Sequence, residues 1–125
     1  MPLVQGPQPD PTVPIEVQLT SETTGPVYVT NRCAVENTHR TEFLESWAAE
    51  AHYLKKQPGY IDARLFRGIG NSKVWFHIAT WESVEALVAA GSSIEFRTLI
   101  AAYPPSASSS HLVQPVAVPG ICLGI

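Results

Sequence analysis

The chain has 125 residues, 45% hydrophobic and 15% charged, with a formal net charge of −3. That size suits one domain with a buried core. The acid excess leaves no basic stripe for nucleic-acid phosphates, no apolar run reaches the ~18 residues of a membrane span, and Cys33 and Cys122 are too few and too far apart for a disulfide framework or a zinc site. The first residues show neither the basic nor the apolar region of a secretory signal, so a cytoplasmic location is expected.

Residues 1–26 form a Pro-rich extension carrying Pro2, Pro7, Pro9, Pro11, Pro14 and Pro26. This density disfavours helix and predicts extended chain. Within it Ile15 to Thr20 alternates, which predicts an edge strand or a segment that crosses a partner subunit. Residues 27–118 read as the folded domain, in the order β-α-β-β-α-α-β. Val27 to Val35 alternates as the first strand. Asn37 or Thr38 is placed to cap a helix running to about Lys56, with an apolar stripe of Phe43, Trp47, Ala51 and Leu54. Pro58-Gly59 stops it, Tyr60 to Arg67 is the second strand, and 68–72 is a hairpin turn. Lys73 to Trp81 is the third strand. Glu82-Ser83 opens a short helix ending near Gly91, and Ser92 or Ser93, with Glu95, opens another, lined by Phe96, Leu99, Ile100 and Tyr103. Ser106 to Ser110 reads as a flexible bridge. His111 to Val118 is the fourth strand, interrupted by Pro115. Residues 119–125 are an apolar tail.

The third strand carries the most information. Trp75, His77, Ala79 and Trp81 share one face; Val74, Phe76, Ile78 and Thr80 share the other. A half-wet strand alternates apolar with polar, and this one does not. Helices on one face of a four-stranded antiparallel sheet give an open α+β sandwich. The uncovered apolar face then predicts a homodimer, two sheets packed face to face. The other face sets two indoles about one imidazole, a surface suited to a flat aromatic molecule and a base.

Val29-Thr30-Asn31-Arg32, Pro58-Gly59-Tyr60, Ala79-Thr80-Trp81-Glu82-Ser83 and Glu95-Phe96-Arg97 follow one another as in the antibiotic biosynthesis monooxygenase family, which the middle of the chain resembles. The resemblance implies a ferredoxin-like fold, a dimeric α/β barrel, and an O₂-dependent oxygenase acting on aromatic polyketides. The family also holds haem-degrading enzymes. Asn31 and Trp81 match their pattern, but Ile100 stands where their iron-binding His is expected, and Ile offers iron no donor. Neither haem nor metal is therefore expected. His39, His52 and His111 lack metal-like spacing as well. The Pro-rich extension and apolar tail around this core are similar to the ring-opening oxygenases of angucycline pathways. This implies C–C cleavage of a quinone with diffusible reduced flavin (FADH2 or FMNH2), and hence a flavin reductase as a partner.

The chemistry assigns roles. A deprotonated phenol or anthrone passes an electron to O₂. That requires an apolar pocket, a base and a donor for the oxyanion. His77 is the candidate base and Asn31 the candidate donor. Trp81, Trp75, Trp47 and Tyr103 are candidate substrate-binding rings, and Arg64 a contact for an anionic substrate or reduced flavin. Competing readings stand beside these. His77 also reads as a hydrogen-bonded core residue, Trp47 as core, and Arg64 as a surface charge. At the level of the whole protein, a cyclase-like polyketide-binding protein without catalysis and a small quinol oxygenase remain alternatives.

Overall fold

Segments that alternate in the sequence pair edge to edge, and the helices between them cover one side. The computed structural model describes residues 3–5 and 10–124; Pro2, Pro7, Pro9 and Ile125 lie outside the described residues. The elements are β1 (Leu3–Gln5), α1 (Ile15–Gln18), β2 (Val27–Ala34), α2 (Arg40–Leu54), β3 (Tyr60–Arg67), β4 (Val74–Trp81), α3 (Val84–Gly91), α4 (Ile94–Ala101), β5 (Ser106–Val113), β6 (Ala117–Val118) and β7 (Cys122–Leu123). The main sheet runs β1-β5-β2-β4-β3. Its four long strands are antiparallel and have the ferredoxin-like order, with β1 added in parallel to the edge of β5.

The central β2–β4 ladder sets the layout. It places Val27 opposite Trp81, Val29 opposite Ala79, Asn31 opposite His77 and Cys33 opposite Trp75. These side chains share the helix-facing side of the sheet. The core therefore falls into two apolar clusters. One gathers Val27, Ala79 and Trp81 with Tyr53, Leu54 and Val84. The other gathers Cys33, Trp75, Phe43 and Tyr103. Asn31 and His77 form a polar rung between them. On the opposite side of β4 Phe76 is 40% exposed and Val74 and Ile78 are half-buried, while Thr80 at the end of the strand is buried, so within one chain the helix-facing side is the better covered.

Capping follows the sequence in α3 and α4. Ser83 Oγ accepts from the Ala86 N–H at 3.1 Å, and Ser93 Oγ from the Phe96 N–H at 3.0 Å. At α2 the expectation fails. A 3-10 turn over Asn37–His39 leads into the helix, and no side chain caps it. Asn37 is engaged elsewhere, since its Oδ1 accepts from Arg67 at 2.9 Å.

Two other expectations are corrected. Ser106 to Ser110 is not a flexible bridge but the first half of β5, which ends at Val113, before Pro115. β2 offers a full unpaired edge, and the ladder from Ala34/Ala107 to Tyr28/Val113 uses it. Long-range backbone pairing overrides the weak strand preference of serine. Ile15 to Thr20 is not a strand. Ile15–Gln18 is one helical turn after Pro14, whose fixed φ suits a helix start. The turn is tied to the sheet by Gln18, whose Oε1 accepts from the Leu112 N–H at 2.7 Å.

Gly59 holds the α2–β3 turn at φ +86°, and its carbonyl accepts from the Glu82 N–H at 2.8 Å. A Cβ at Gly59 would run into the Cβ of Ala86 on α3. Gly59→Ala therefore adds a left-handed backbone penalty to a steric one. The expected loss is roughly 2–3 kcal/mol of stability, read as a lowered midpoint in denaturant unfolding with an unchanged slope.

Candidate active site

The polar rung opens into a cavity of about 490 Å³ between the sheet and the helices. Val29, Asn31, His77, Ala79 and Trp81 line it from β2 and β4, and Ser108, Ser110 and Leu112 from β5. Glu50, Leu87, Phe96 and Ile100 line it from the helices. Ile15 of α1 and Leu19 just beyond its end line a further edge. The wall is mostly apolar with a few convergent polar groups, the usual make-up of a small-molecule site.

His77 is buried, and its Nδ1 accepts a 2.7 Å hydrogen bond from the Trp47 indole. An indole N–H only donates, so Nδ1 carries the lone pair and the neutral ring holds its proton on Nε2. Burial lowers the pKa from 6.5 to about 4. The imidazole is thus neutral near pH 7, and its free nitrogen is already protonated. With this tautomer the ring turns an N–H toward the cavity rather than the lone pair that the expected role of base requires.

Asn31 is oriented from β5. The Ser110 hydroxyl donates to its Oδ1 at 3.1 Å. This leaves the Asn31 NH₂ without a partner among the described residues, as a second donor in the same cavity. Trp81 is buried, lines the cavity, and meets Tyr60 edge to face at 5.7 Å. Asn31, His77 and Trp81 are therefore brought together.

The other candidates are not. Trp47 lies behind His77 and acts on it rather than lining the cavity. Trp75 is packed against Phe43 at 5.3 Å and lies beneath the Arg67 guanidinium at 5.1 Å. Tyr103 is buried beside Phe43. Arg64 pairs with Ile78, on the outer side of the sheet, and is exposed there. An outward arginine cannot reach a ligand held on the opposite side.

Glu50 was absent from the expected set. It projects from α2 into the cavity, and the Tyr103 hydroxyl donates to its Oε1. Burial raises its pKa above the ordinary carboxylate value, and the Tyr103 hydrogen bond partly offsets the rise. Its signal in the sequence was faint: 43, 47, 50 and 54 have the 4-3-4 spacing of one helix face, and three of those positions are apolar. Burial chiefly, and then Glu50, pushes the Cys33 thiol up to about 11, which keeps it protonated. Among the described residues no group of three His, Cys, Asp or Glu side chains is placed to hold a metal ion, and no helix is long and apolar enough to cross a membrane.

The model of the family described as antibiotic biosynthesis monooxygenase matches residues 26–102. No match to a curated protein was found at the sequence level. Among solved structures, SnoaB, a cofactor-independent oxygenase from Streptomyces nogalater, is 23% identical with a TM-score of 0.70, over 78% of this chain and 99% of that one. A Caulobacter crescentus CB15 protein proposed to be an antibiotic biosynthesis monooxygenase is 21% identical with a TM-score of 0.67, over 75% and 92% of the two chains. Rv0793 from Mycobacterium tuberculosis is 16% identical with a TM-score of 0.62, over 76% and 99%. At these identities the structural likeness concerns the fold.

The His77 environment predicts a pH signature. Unfolded, the ring titrates near 6.5; folded, near 4. Its contribution is complete above pH 6.5 and is lost as pH falls toward 4, because only the unfolded chain takes up the proton there. The loss amounts to roughly 3 kcal/mol. His77→Gln retains an acceptor for Trp47 without this titration. Denaturant midpoints measured from pH 7.5 to 4 should fall more steeply for the wild type than for His77→Gln, and the difference cancels the contribution of Glu50.

Proposed function

The chain belongs to the antibiotic biosynthesis monooxygenase family and is an oxygenase, and from that premise we propose that its substrate is a polycyclic aromatic polyketide, a phenol or anthrone, oxidised by O₂ without metal or haem. The observation that carries this reading is the convergence of two donors without partners among the described residues, the Asn31 NH₂ and the His77 Nε2–H, in a mostly apolar cavity walled by Trp81. Its volume lies within the ~300–1,000 Å³ of small-molecule sites.

The substrate anion is the reactive species. Loss of a proton leaves an electron pair delocalised over the rings, with most of the charge on oxygen. Asn31 and His77 donate to that oxygen from positions already fixed in a mostly apolar wall, where preorganised donors act most strongly. The anion passes one electron to O₂, and the two radicals join at carbon. For an anthrone, CH₂ becomes C=O, one oxygen atom enters the product, and the other leaves as water. Ile100 contributes an apolar wall and no ligand for iron. A substrate that arrives as a quinone needs two electrons first. Diffusible reduced flavin from a flavin reductase is the reductant proposed for that case, with C–C ring cleavage as the outcome.

The outer sheet face supports a homodimer as the working unit. Phe66, Phe76 and Val113 remain 45%, 40% and 45% exposed there, which a second copy would cover. Phe76→Arg should convert a sedimenting dimer to a monomer at micromolar concentration. A monomeric wild type would remove this part of the proposal.

The reaction is tested by anaerobic mixing with an anthrone or a quinone, with and without reduced flavin, followed by O₂ and product mass analysis. Uptake of one O₂ per anthrone, with one oxygen atom in the product, is expected. Asn31→Ala should lower kcat by roughly 10²-fold and change KM much less, since its amide acts on charge that develops in the transition state. Absence of O₂ uptake with every such substrate would favour a binding protein without catalysis.

A further inference from the structure

We propose that Glu50 is the proton acceptor of this site and that Tyr103 is the residue that positions it. The inference rests on the oxygenase reading above and specifies which group removes the substrate proton. Deprotonation needs an acceptor inside the cavity. Of the described side chains lining it, only His77 and Glu50 offer an imidazole or a carboxylate. His77 is already protonated on its free nitrogen and spends Nδ1 on Trp47. Asn31 and the serine hydroxyls are donors or weak acceptors. Glu50 is the one carboxylate in the lining.

The placement fits the task. Glu50 stands one turn beyond Trp47 on α2, so it enters from the helix layer while Asn31 and His77 enter from the sheet. One carboxylate oxygen is held by the Tyr103 hydroxyl. The other has no partner among the described residues and is free to take a proton. The groups facing Glu50 are the Cys33 thiol from β2, neutral His77 from β4 and the Tyr103 phenol after α4. None is a cation. The ion pairs among the described residues, His39–Glu42 and Lys73–Glu36, are elsewhere. A carboxylate desolvated without a counter-charge is a stronger proton acceptor than one in water.

The step balances within the site. The O–H of a phenol or the acidic C–H of an anthrone breaks, an O–H forms on Glu50, and the electron pair stays on the substrate. The oxyanion then lies against Asn31 and His77. Glu50 returns that proton to the outer oxygen of the peroxide formed at carbon. The second C–H of the former CH₂ then breaks, its electron pair forms the C=O as the O–O bond breaks, and the departing hydroxide takes up that second proton as water. Glu50 thus costs the folded state a desolvated charge, and a neutral amide in its place costs less. Stability and activity should therefore respond to Glu50 in opposite directions.

The test separates proton transfer from oxygenation. 1,8-Dihydroxyanthrone is mixed with the protein without O₂, and the visible absorbance of its anion is followed against pH. The wild type should bind the anthrone and ionise it along a single acid limb. Glu50→Gln should bind it within about threefold, leave it neutral at pH 7, lower O₂ turnover by roughly 10²-fold or more, and unfold no more readily than the wild type. Tyr103→Phe should move the acid limb to higher pH, because Glu50 loses the donor that favours its charged form. Ionisation in Glu50→Gln equal to that of the wild type would overturn the assignment. Binding by the wild type without ionisation would overturn the proton-acceptor role while leaving the polyketide site standing. No binding by the wild type would remove both.

Discussion

The hydrogen bond from the Trp47 indole to Nδ1 of His77 is the constraint on which the site depends. It spans the gap between α2 and β4 at the point where the two apolar clusters of the core part. Because an indole cannot accept, the bond selects the His77 tautomer and decides which nitrogen meets a ligand. Burial then keeps that ring neutral. Without a partner, a buried imidazole here would carry the full cost of desolvation. With one, it is a rigid donor.

The same arrangement occurs three times around the cavity. Trp47 donates to His77, Ser110 to Asn31 and Tyr103 to Glu50. Each of these groups thus has one atom held from behind, and each has another left without a partner among the described residues. A polar group fixed by one bond and free at another atom needs little reorganisation when a ligand arrives, the condition under which hydrogen bonds stabilise developing charge best. The supports come from α2, β5 and the segment after α4, so the site exists only once the helix layer and the sheet edge have docked.

The electrostatic design is asymmetric. The sheet supplies neutral donors, and the helix layer supplies a carboxylate with no cation beside it. This departs from the usual rule that buried charges are paired. Such departures concentrate where chemistry needs them. The remaining wall is mostly apolar, with Ile15 of α1 and Leu19 just beyond it lining one edge. Gln18 latches that turn to the Leu112 backbone, while Gln114 donates to the carbonyls of Thr24 and Pro26. Ile15, Leu19 and Thr20 of the N-terminal extension are thereby held as part of the cavity's lining.

Features that depend on local periodicity were legible in the amino-acid sequence. The strand-like run over 74–81 identified β4, and a period of two placed His77 and Trp81 on one face. The serine caps of α3 and α4 could be read because a cap and its target lie three residues apart. The order of motifs predicted the ferredoxin-like fold, and Asn31 was singled out by the family resemblance and by the need for an oxyanion donor. Features that depend on distant partners were not legible. Ser106 to Ser110 became a strand because β2 offered an unpaired edge. Ile15 to Thr20 became a helical turn over a cavity that no local pattern describes. The partners that define the site are 30, 53 and 79 residues apart in the chain. Residue type made His77 a titratable candidate, but only the docking of Trp47 made it a neutral donor. Only burial beside Tyr103 made Glu50, one acidic residue on an otherwise apolar helix face, a candidate for the chemistry. Periodicity is written in neighbouring residues; protonation is decided by solvent exclusion and by contacts that form when the layers close.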